Sequence, residues 1–168
     1  NTCKNFNIEY FEHIVGQLGS HFDSYIYESE SGVVGKKIVL EHTPAIFTES
    51  EGAIVYIPDE SKKNLNTSVF INSQGNPTYD AKDIGLLDLK FEKHHPDLSV
   101  FVTDHEQIPH FNIVLDAAER INQEWKEKSI HIHHGRMSFK GQKMSSRLGG
   151  VPLAAEMIDA VSEEVAEV

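Results

Sequence analysis

The sequence predicts an α/β fold, a parallel sheet with covering helices and a small β-rich insertion, and three observations carry that expectation. From residue 78 onward the apolar spacing runs helix, strand, helix, strand, loop, helix, the rhythm of βαβ units. Ahead of it, short strand-like runs stop at turn residues, Pro58 in one case and Asn72-Ser73-Gln74-Gly75 in the other. The length, 168 residues, allows one domain with a real core, and no apolar run approaches a membrane span.

Residues 1–21 read as an N-terminal helix, because Ile8, Phe11, Ile14, Val15 and Leu18 fall on one face. Phe22 to Tyr27 alternates as a strand would and ends in the acidic Glu28-Ser29-Glu30, and Val33 to Glu41 reads as a short helix. Ala53 to Ile57 and Ser68 to Ile71 read as strands, so residues 22–76 make a strand-rich insertion or flank. Residues 77–168 carry the sheet and its helices. There Thr78 stands where an N-cap belongs, Ile84, Leu87 and Phe91 follow at helical spacing, and His94-His95-Pro96 stops the helix. Leu98 to Val102 reads as a buried strand, and Ile108, Phe111, Leu115 and Ala118 stripe the helix after it. Ser129 to His133 is a further strand. Leu153, Met157, Val161 and Val165 stripe a closing helix with an acidic outer face.

Asp and Glu number 26 against 15 Lys and Arg, a formal charge of -11. Such a surface repels a phosphate backbone on average, so nucleic-acid contact needs a local basic patch. Arg136, Lys140, Lys143 and Arg147 form that patch in the sequence. The single cysteine, Cys3, excludes an internal disulfide framework and fits a reducing compartment. Asn1-Thr2-Cys3-Lys4-Asn5 does not read as a signal peptide, so a cytoplasmic protein with no membrane partner is expected. A start without methionine, running straight into Ile8-Glu9-Tyr10-Phe11, suggests a fragment. There are ten histidines, and His131 and His133 share one strand face. No Cys-x-x-Cys or His-Glu-x-x-His accompanies them, so no metal site is expected.

Three polar clusters fall where an open parallel sheet binds ligands, beyond strand ends and at helix starts. Tyr79 and Asp83 stand at i and i+4 on one helix face. Gln107 and His110 stand at i and i+3, just past the strand that ends near Val102. A carboxylate, a phenol and a primary amide together suit a planar, multi-donor cation such as a guanidinium. The third cluster is Gly141-Gln142-Lys143-Met144-Ser145-Ser146-Arg147, a glycine-flanked loop with cations and hydroxyls suited to phosphate oxygens. Taken alone, each cluster is also what a dipole-decorated helix start or a solvated basic turn would carry.

The order Phe22-Asp23, Glu28-Ser29-Glu30, Glu51-Gly52-Ala53, Thr78-Tyr79, Asp83, Gln107, His110-Phe111, His134-Gly135-Arg136-Met137 and Lys143-Met144-Ser145-Ser146-Arg147 resembles the second half of the arginyl-tRNA synthetase catalytic domain. The resemblance implies a partial class I Rossmann-type sheet and an enzyme that activates arginine with ATP, then transfers it to tRNA(Arg). It implies that Tyr79, Asp83 and Gln107 hold arginine. ATP would meet His110, His134, Gly135, Met137, Lys143, Met144, Ser145 and Ser146, and would arrive with Mg²⁺. Lys143 and Arg147 are the implied catalytic cations.

Two departures qualify the resemblance. Ser146 stands where many class I enzymes carry the catalytic lysine, and Leu148 follows Arg147 where relatives often place one. The first-half signature His-x-Gly-His is nowhere in these residues, so the resemblance implies that the chain alone is inactive. Two alternatives stay open from the residues: another class I synthetase, of lysyl type, and a non-catalytic nucleotide- or RNA-binding module.

Overall fold

A computed structural model of the chain describes residues 2–135, 138–139, 142–143 and 153–166. The chain divides into two compact units, Ile26–Arg136 in one and Asn1–Tyr25 with Met137–Val168 in the other.

The larger unit opens with α2 (Glu28–Glu41), α1 (Thr2–Gln17) belonging to the smaller one. Tyr27 is extended and hands the chain to a first turn holding Glu28 and Glu30, where the helix dipole favours negative charge. The acidic triplet is therefore a helix start, and α2 begins well before Val33. No strand forms over Phe22–Tyr27. Its aromatic alternation serves a ring cluster instead, with Phe22 and Tyr25 centred 5.8 and 6.5 Å from Phe11.

The strands β1 (Phe47–Ser50), β2 (Ala53–Tyr56) and β3 (Ser68–Ile71) make an antiparallel sheet in that order. Glu51 and Gly52, both at positive φ, close the β1–β2 hairpin with the handedness that two-residue turns require. Phe47, Tyr56 and Phe70 put their rings together in a fully buried triangle. These rings share one core with Ile84 and Leu87 of α3 (Tyr79–His94) and Val114 of α4 (Ile108–Ile121). His95 in the left-handed region ends α3, and Pro96 follows.

The βαβ unit is β4 (Ser99–Asp104), a 3₁₀ turn (His105–Gln107), α4, α5 (Gln123–Glu127) and β5 (Ser129–His134). β4 and β5 pair in parallel from Ser99 opposite Ser129 to Asp104 opposite His134. The expectation that β4 is buried holds for one face only. Phe101 is covered, its ring 4.9 Å from that of Phe111, whereas Val100, Val102, Ile130 and Ile132 are exposed on the other face. Apolar residues on both faces are what a parallel strand carries when it is built for two covering layers.

Two contacts hold the larger unit's layers in place. Tyr56 donates its hydroxyl to Asp116 of α4 at 2.6 Å, and Lys62 of the β2–β3 loop reaches the other oxygen of the same buried carboxylate. Burial and the Asp116 carboxylate both push the Tyr56 hydroxyl's pKa up, so it stays a donor. The second contact is backbone on backbone. A methyl on Gly35 of α2 would lie 1.7 Å from the Ala81 carbonyl oxygen, and one on Gly85 of α3 would lie 2.0 Å from that of Ser31. The two helices touch where neither has a side chain.

The smaller unit contains α1, the two-residue pairing of β6 (Ser138–Phe139) with β7 (Gln142–Lys143), and α6 (Ala154–Ala166). The expected helices form, but their apolar stripes are largely uncovered. On α1 Ile14 is the buried residue, and at α6 Leu153, Val161 and Val165 are exposed.

The α2–α3 approach yields a stability prediction. Gly35→Ala should cost about 2–4 kcal/mol, at the upper end of overpacking because the obstacle is a carbonyl and not a movable side chain. Gly32→Ala is the control: its methyl would meet Lys82 and Pro77 at an ordinary 3.6 Å. That change should be neutral or gain up to about 1 kcal/mol of helix propensity. Urea unfolding of both variants decides the matter, and equal midpoints for the two would contradict the close approach.

Candidate functional site

The helix α3 begins where β3 ends, and Thr78 makes the joint. It occupies the N-cap position, yet its hydroxyl donates back to β3, to the carbonyl of Val69 at 2.7 Å or of Phe70 at 3.1 Å, and caps no helix N–H. The hydroxyl's bond goes to the strand in place of the expected capping bond. Lys82, on the same first turn, bonds Glu28 of α2 at 2.7 Å and sits 4.9 Å from the centre of the Tyr79 ring. That carboxylate raises the Lys82 pKa, so the ammonium beside Tyr79 is well held in its charged form.

A cavity of about 780 Å³ opens at this joint. Its lining includes Ser68, Tyr79, Asp80, Asp83, Thr103, Gln107 and His110. Tyr79, Asp83, Gln107 and His110, separated widely in sequence, are thus brought to one space. The reason is topological: α3 enters from β3 and α4 enters from the end of β4, so both helix starts face the same side.

His110 is the hub of the cavity wall. Its Nδ1 lies 2.7 Å from Asp80 Oδ1 and its Nε2 lies 2.6 Å from Asp83 Oδ2. Asp80 is buried, with 8 % of its surface exposed, and accepts a further hydrogen bond from Ser68. Burial of the imidazole works against its charge, but the two carboxylates outweigh that cost and raise its pKa from 6.5 to about 9. Both ring nitrogens then donate, one to each carboxylate. Farther along α3, Lys90 lays its ammonium 4.2 Å from the centre of the Phe101 ring; burial lowers its pKa, and Asp83 partly offsets this.

His131 flanks the hub from β5. Its ring stacks on Phe111 at 4.3 Å, and its Nε2 is 2.7 Å from the Thr103 hydroxyl. Burial, then the neighbouring His133 and His110, lower its pKa, so the neutral form is favoured. No group of three or more His, Cys, Asp or Glu among the described residues is arranged to hold a metal ion.

The other expected site residues lie elsewhere or beyond description. His134 and Gly135 stand at the exposed end of β5, with His134 Nδ1 2.8 Å from the Gly135 carbonyl oxygen, and do not line the cavity. Lys143 is described only as backbone in β7. Met137, Met144, Ser145, Ser146 and Arg147 lie outside the described residues.

Sequence reasoning missed Asp80, Ser68 and Thr103. Asp80 had a readable signal, since it precedes Asp83 by three residues on the same helix face. Ser68 and Thr103 had none, because a lone hydroxyl in a strand is common.

The Asp83 carboxylate, the Gln107 amide and the Tyr79 phenol around one cavity can accept N–H bonds from a cationic ligand. The charged His110 bridge also gives the site a pH signature. Its folded pKa exceeds the unfolded 6.5, so its contribution to stability is complete below about pH 6.5 and lost as pH rises through about 9. The stability difference between wild type and His110→Gln should therefore shrink by up to about 3 kcal/mol between pH 6 and pH 9.5. Denaturant titrations of both proteins at the two pH values check this; a difference that ignores pH would mean that the bridge is uncharged.

Comparison with known proteins adds the family context. A family model described as "tRNA synthetases class I (R), catalytic domain" matches residues 28–167. The arginine–tRNA ligase of Clostridium perfringens is 30% identical over 165 residues, 98% of this chain and 29% of the relative. That of Amoebophilus asiaticus is 28% identical over 152 residues, 90% of this chain and 25% of the relative. Among solved structures, arginyl-tRNA synthetase from Plasmodium falciparum aligns with a TM-score of 0.63 at 24% identity, over 79% of this chain and 23% of that one. The Thermus thermophilus enzyme aligns with a TM-score of 0.61 at 21% identity, over 90% of this chain and 31% of that one. At these identities the structural likeness establishes the fold. The chain spans between a quarter and a third of the length of the curated relatives it matches.

Proposed function

This chain belongs to the class I (R) tRNA synthetase catalytic-domain family, and we propose from that premise that it carries the amino-acid-reading part of an arginine–tRNA ligase. Its fold is the partial Rossmann-type α/β fold expected of that class. The reaction is arginine plus ATP to arginyl-adenylate and pyrophosphate, followed by transfer of the arginyl group to tRNA(Arg). The observation that carries the reading is the single cavity shared by Tyr79, Asp83, Gln107 and His110. Asp83 supplies the charge for the substrate guanidinium, while the Gln107 amide and Tyr79 phenol supply further polar contacts. A synthetase of lysyl type and a non-catalytic binding module are not favoured, since the matched family is the arginine class.

No protein side chain has to act as nucleophile. The substrate carboxylate attacks the α-phosphorus, and the protein's part is positioning and stabilising charge on the phosphates. ATP enters as its Mg²⁺ complex, the ion held mostly by phosphate oxygens and water. In this reading Lys143 and Arg147, on the segment that resembles the KMSKS motif, meet the triphosphate, with Met144, Ser145 and Ser146 between them. His134, Gly135 and Met137 line the adenine. A cytoplasmic location fits a reaction that consumes ATP and tRNA.

Two measurements test the proposal, both in an enzyme containing this chain. Asp83→Asn should weaken arginine by about 2–5 kcal/mol, roughly thirty-fold to several thousand-fold, with ATP nearly unaffected. Equal losses for both ligands in equilibrium binding would mean that Asp83 does not read the side chain. Lys143→Ala and Arg147→Ala should each slow adenylate formation by about 2–4 kcal/mol of barrier while arginine affinity holds, because a contact made in the transition state lowers the rate and not ground-state binding. Ser146→Ala should do less, a neutral hydroxyl being a weaker donor than a cation. Single-turnover rates at saturating arginine and ATP decide this, and wild-type rates in both cation variants would remove the loop from the mechanism.

A further inference from the structure

Asp80 and Asp83 occupy different positions around the same imidazole. Both oxygens of Asp80 are engaged, Oδ1 by His110 and Oδ2 by Ser68, and the residue is buried. Asp83 meets His110 through Oδ2 alone, and its Oδ1 has no hydrogen-bond partner among the described residues, although Asp83 lines the cavity. One carboxylate is spent on holding the imidazole. The other keeps a single oxygen for a ligand.

We propose that His110 is a positioning residue, oriented from behind by Asp80, that fixes the Asp83 carboxylate so that Oδ1 alone is offered to the cationic side chain of the substrate. This deepens the arginine reading above and rests on it for the ligand. The chemistry follows from the geometry. A lone carboxylate near a helix start rotates about its side-chain bonds and loses that freedom when it binds. A carboxylate already held at one oxygen has lost it in advance, so the ligand's hydrogen bonds are made at lower entropic cost. The arrangement works only while both imidazole nitrogens carry protons, since a neutral ring donates from one nitrogen and cannot hold both carboxylates as donor.

Among the described residues, the charged and titratable groups facing His110 come from two elements. α3 contributes Asp80 and Asp83, which favour the imidazolium, and β5 contributes His131, which is itself pushed toward neutrality. The groups supplied by β3 and β4, Ser68 and Thr103, are uncharged hydroxyls. Asp80 is therefore the group whose removal should release the clamp without touching the oxygen that the ligand uses.

The test has two arms. In the first, the His110 ring nitrogens are followed by NMR in the unliganded chain against pH. The expected result is a doubly protonated ring at pH 7.5 that titrates near pH 9, and in Asp80→Asn titrates at least one pH unit lower. A His110 that titrates near 6.5 in wild type overturns the clamp, whatever the ligand. In the second arm, L-arginine affinity is measured at pH 6.0 and 8.5 in an enzyme containing this chain, for wild type and Asp80→Asn, with L-citrulline, the neutral isostere, expected to bind weakly to both. Asp80→Asn should bind arginine at least ten-fold more weakly than wild type at pH 8.5 and recover most of that loss at pH 6.0, where His110 regains its proton. A loss equal at both pH values assigns Asp80 a structural role and overturns the proposal, as does wild-type affinity at pH 8.5. If Asp80→Asn unfolds, Ser68→Ala replaces it, loosening Asp80 from the other side with the same expected direction. Wild-type protein that binds no arginine at either pH, with His110 still titrating near 9, would sink the arginine reading and its ligand role for the clamp while leaving the unliganded geometry intact.

Discussion

The approach of α2 to α3 is the constraint on which the larger unit depends. Gly35 and Gly85 let the two backbones meet, with Ser31 and Ala81 supplying the carbonyls that a methyl would strike. Small residues at a helix crossing allow a short interaxial distance, and that distance sets where the first turn of α3 lies relative to β3. The start of the helix carries Tyr79, Asp80, Lys82 and Asp83. A shift of α3 by an ångström would move the whole polar set against Ser68, Gln107 and His110, whose positions come from β3, the 3₁₀ turn and α4.

From that packing the site inherits its electrostatics. The chain is acidic overall, yet the cavity's acids are arranged around a charged imidazole, and Lys82 and Lys90 flank the same helix. Asp80 is tolerable in a nearly buried position because it is paired and hydrogen-bonded at both oxygens. Without His110 it would be an uncompensated buried charge. The same bridge therefore answers a stability problem on the wall of the cavity.

A second buried carboxylate, Asp116, plays a different part. It takes the Tyr56 hydroxyl and the Lys62 ammonium, tying β2 and the β2–β3 loop to α4. That loop leads into Thr67 and Ser68, both on the cavity wall. Two acid-centred knots, one at His110 near the start of α4 and one at Asp116 farther along it, thus hold the antiparallel sheet and the βαβ unit together. The β4–β5 face with Val100, Val102, Ile130 and Ile132 lies on the side away from these knots, apolar and exposed.

The sequence by itself determined the alternation of helices and strands from residue 78, the turn-bounded strands beginning at Ala53 and Ser68, and the family. Its motif spacing also singled out Tyr79, Asp83, Gln107 and His110. Those features are local: helical and strand periods, turn residues and motif spacing act over a few positions and survive without the rest of the fold. The tertiary structure decided what local patterns leave open. Phe22–Tyr27 alternates like a strand but has no strand to pair with, so its rings cluster with Phe11. Thr78 has the chemistry of a cap, but the β3 carbonyls take its hydroxyl. Asp80 and Asp83 look alike in sequence, and only the arrival of His110 and Ser68 from distant elements engages both oxygens of Asp80 and one oxygen of Asp83. Long-range pairing depends on which surfaces meet, and no short window of residues contains that information.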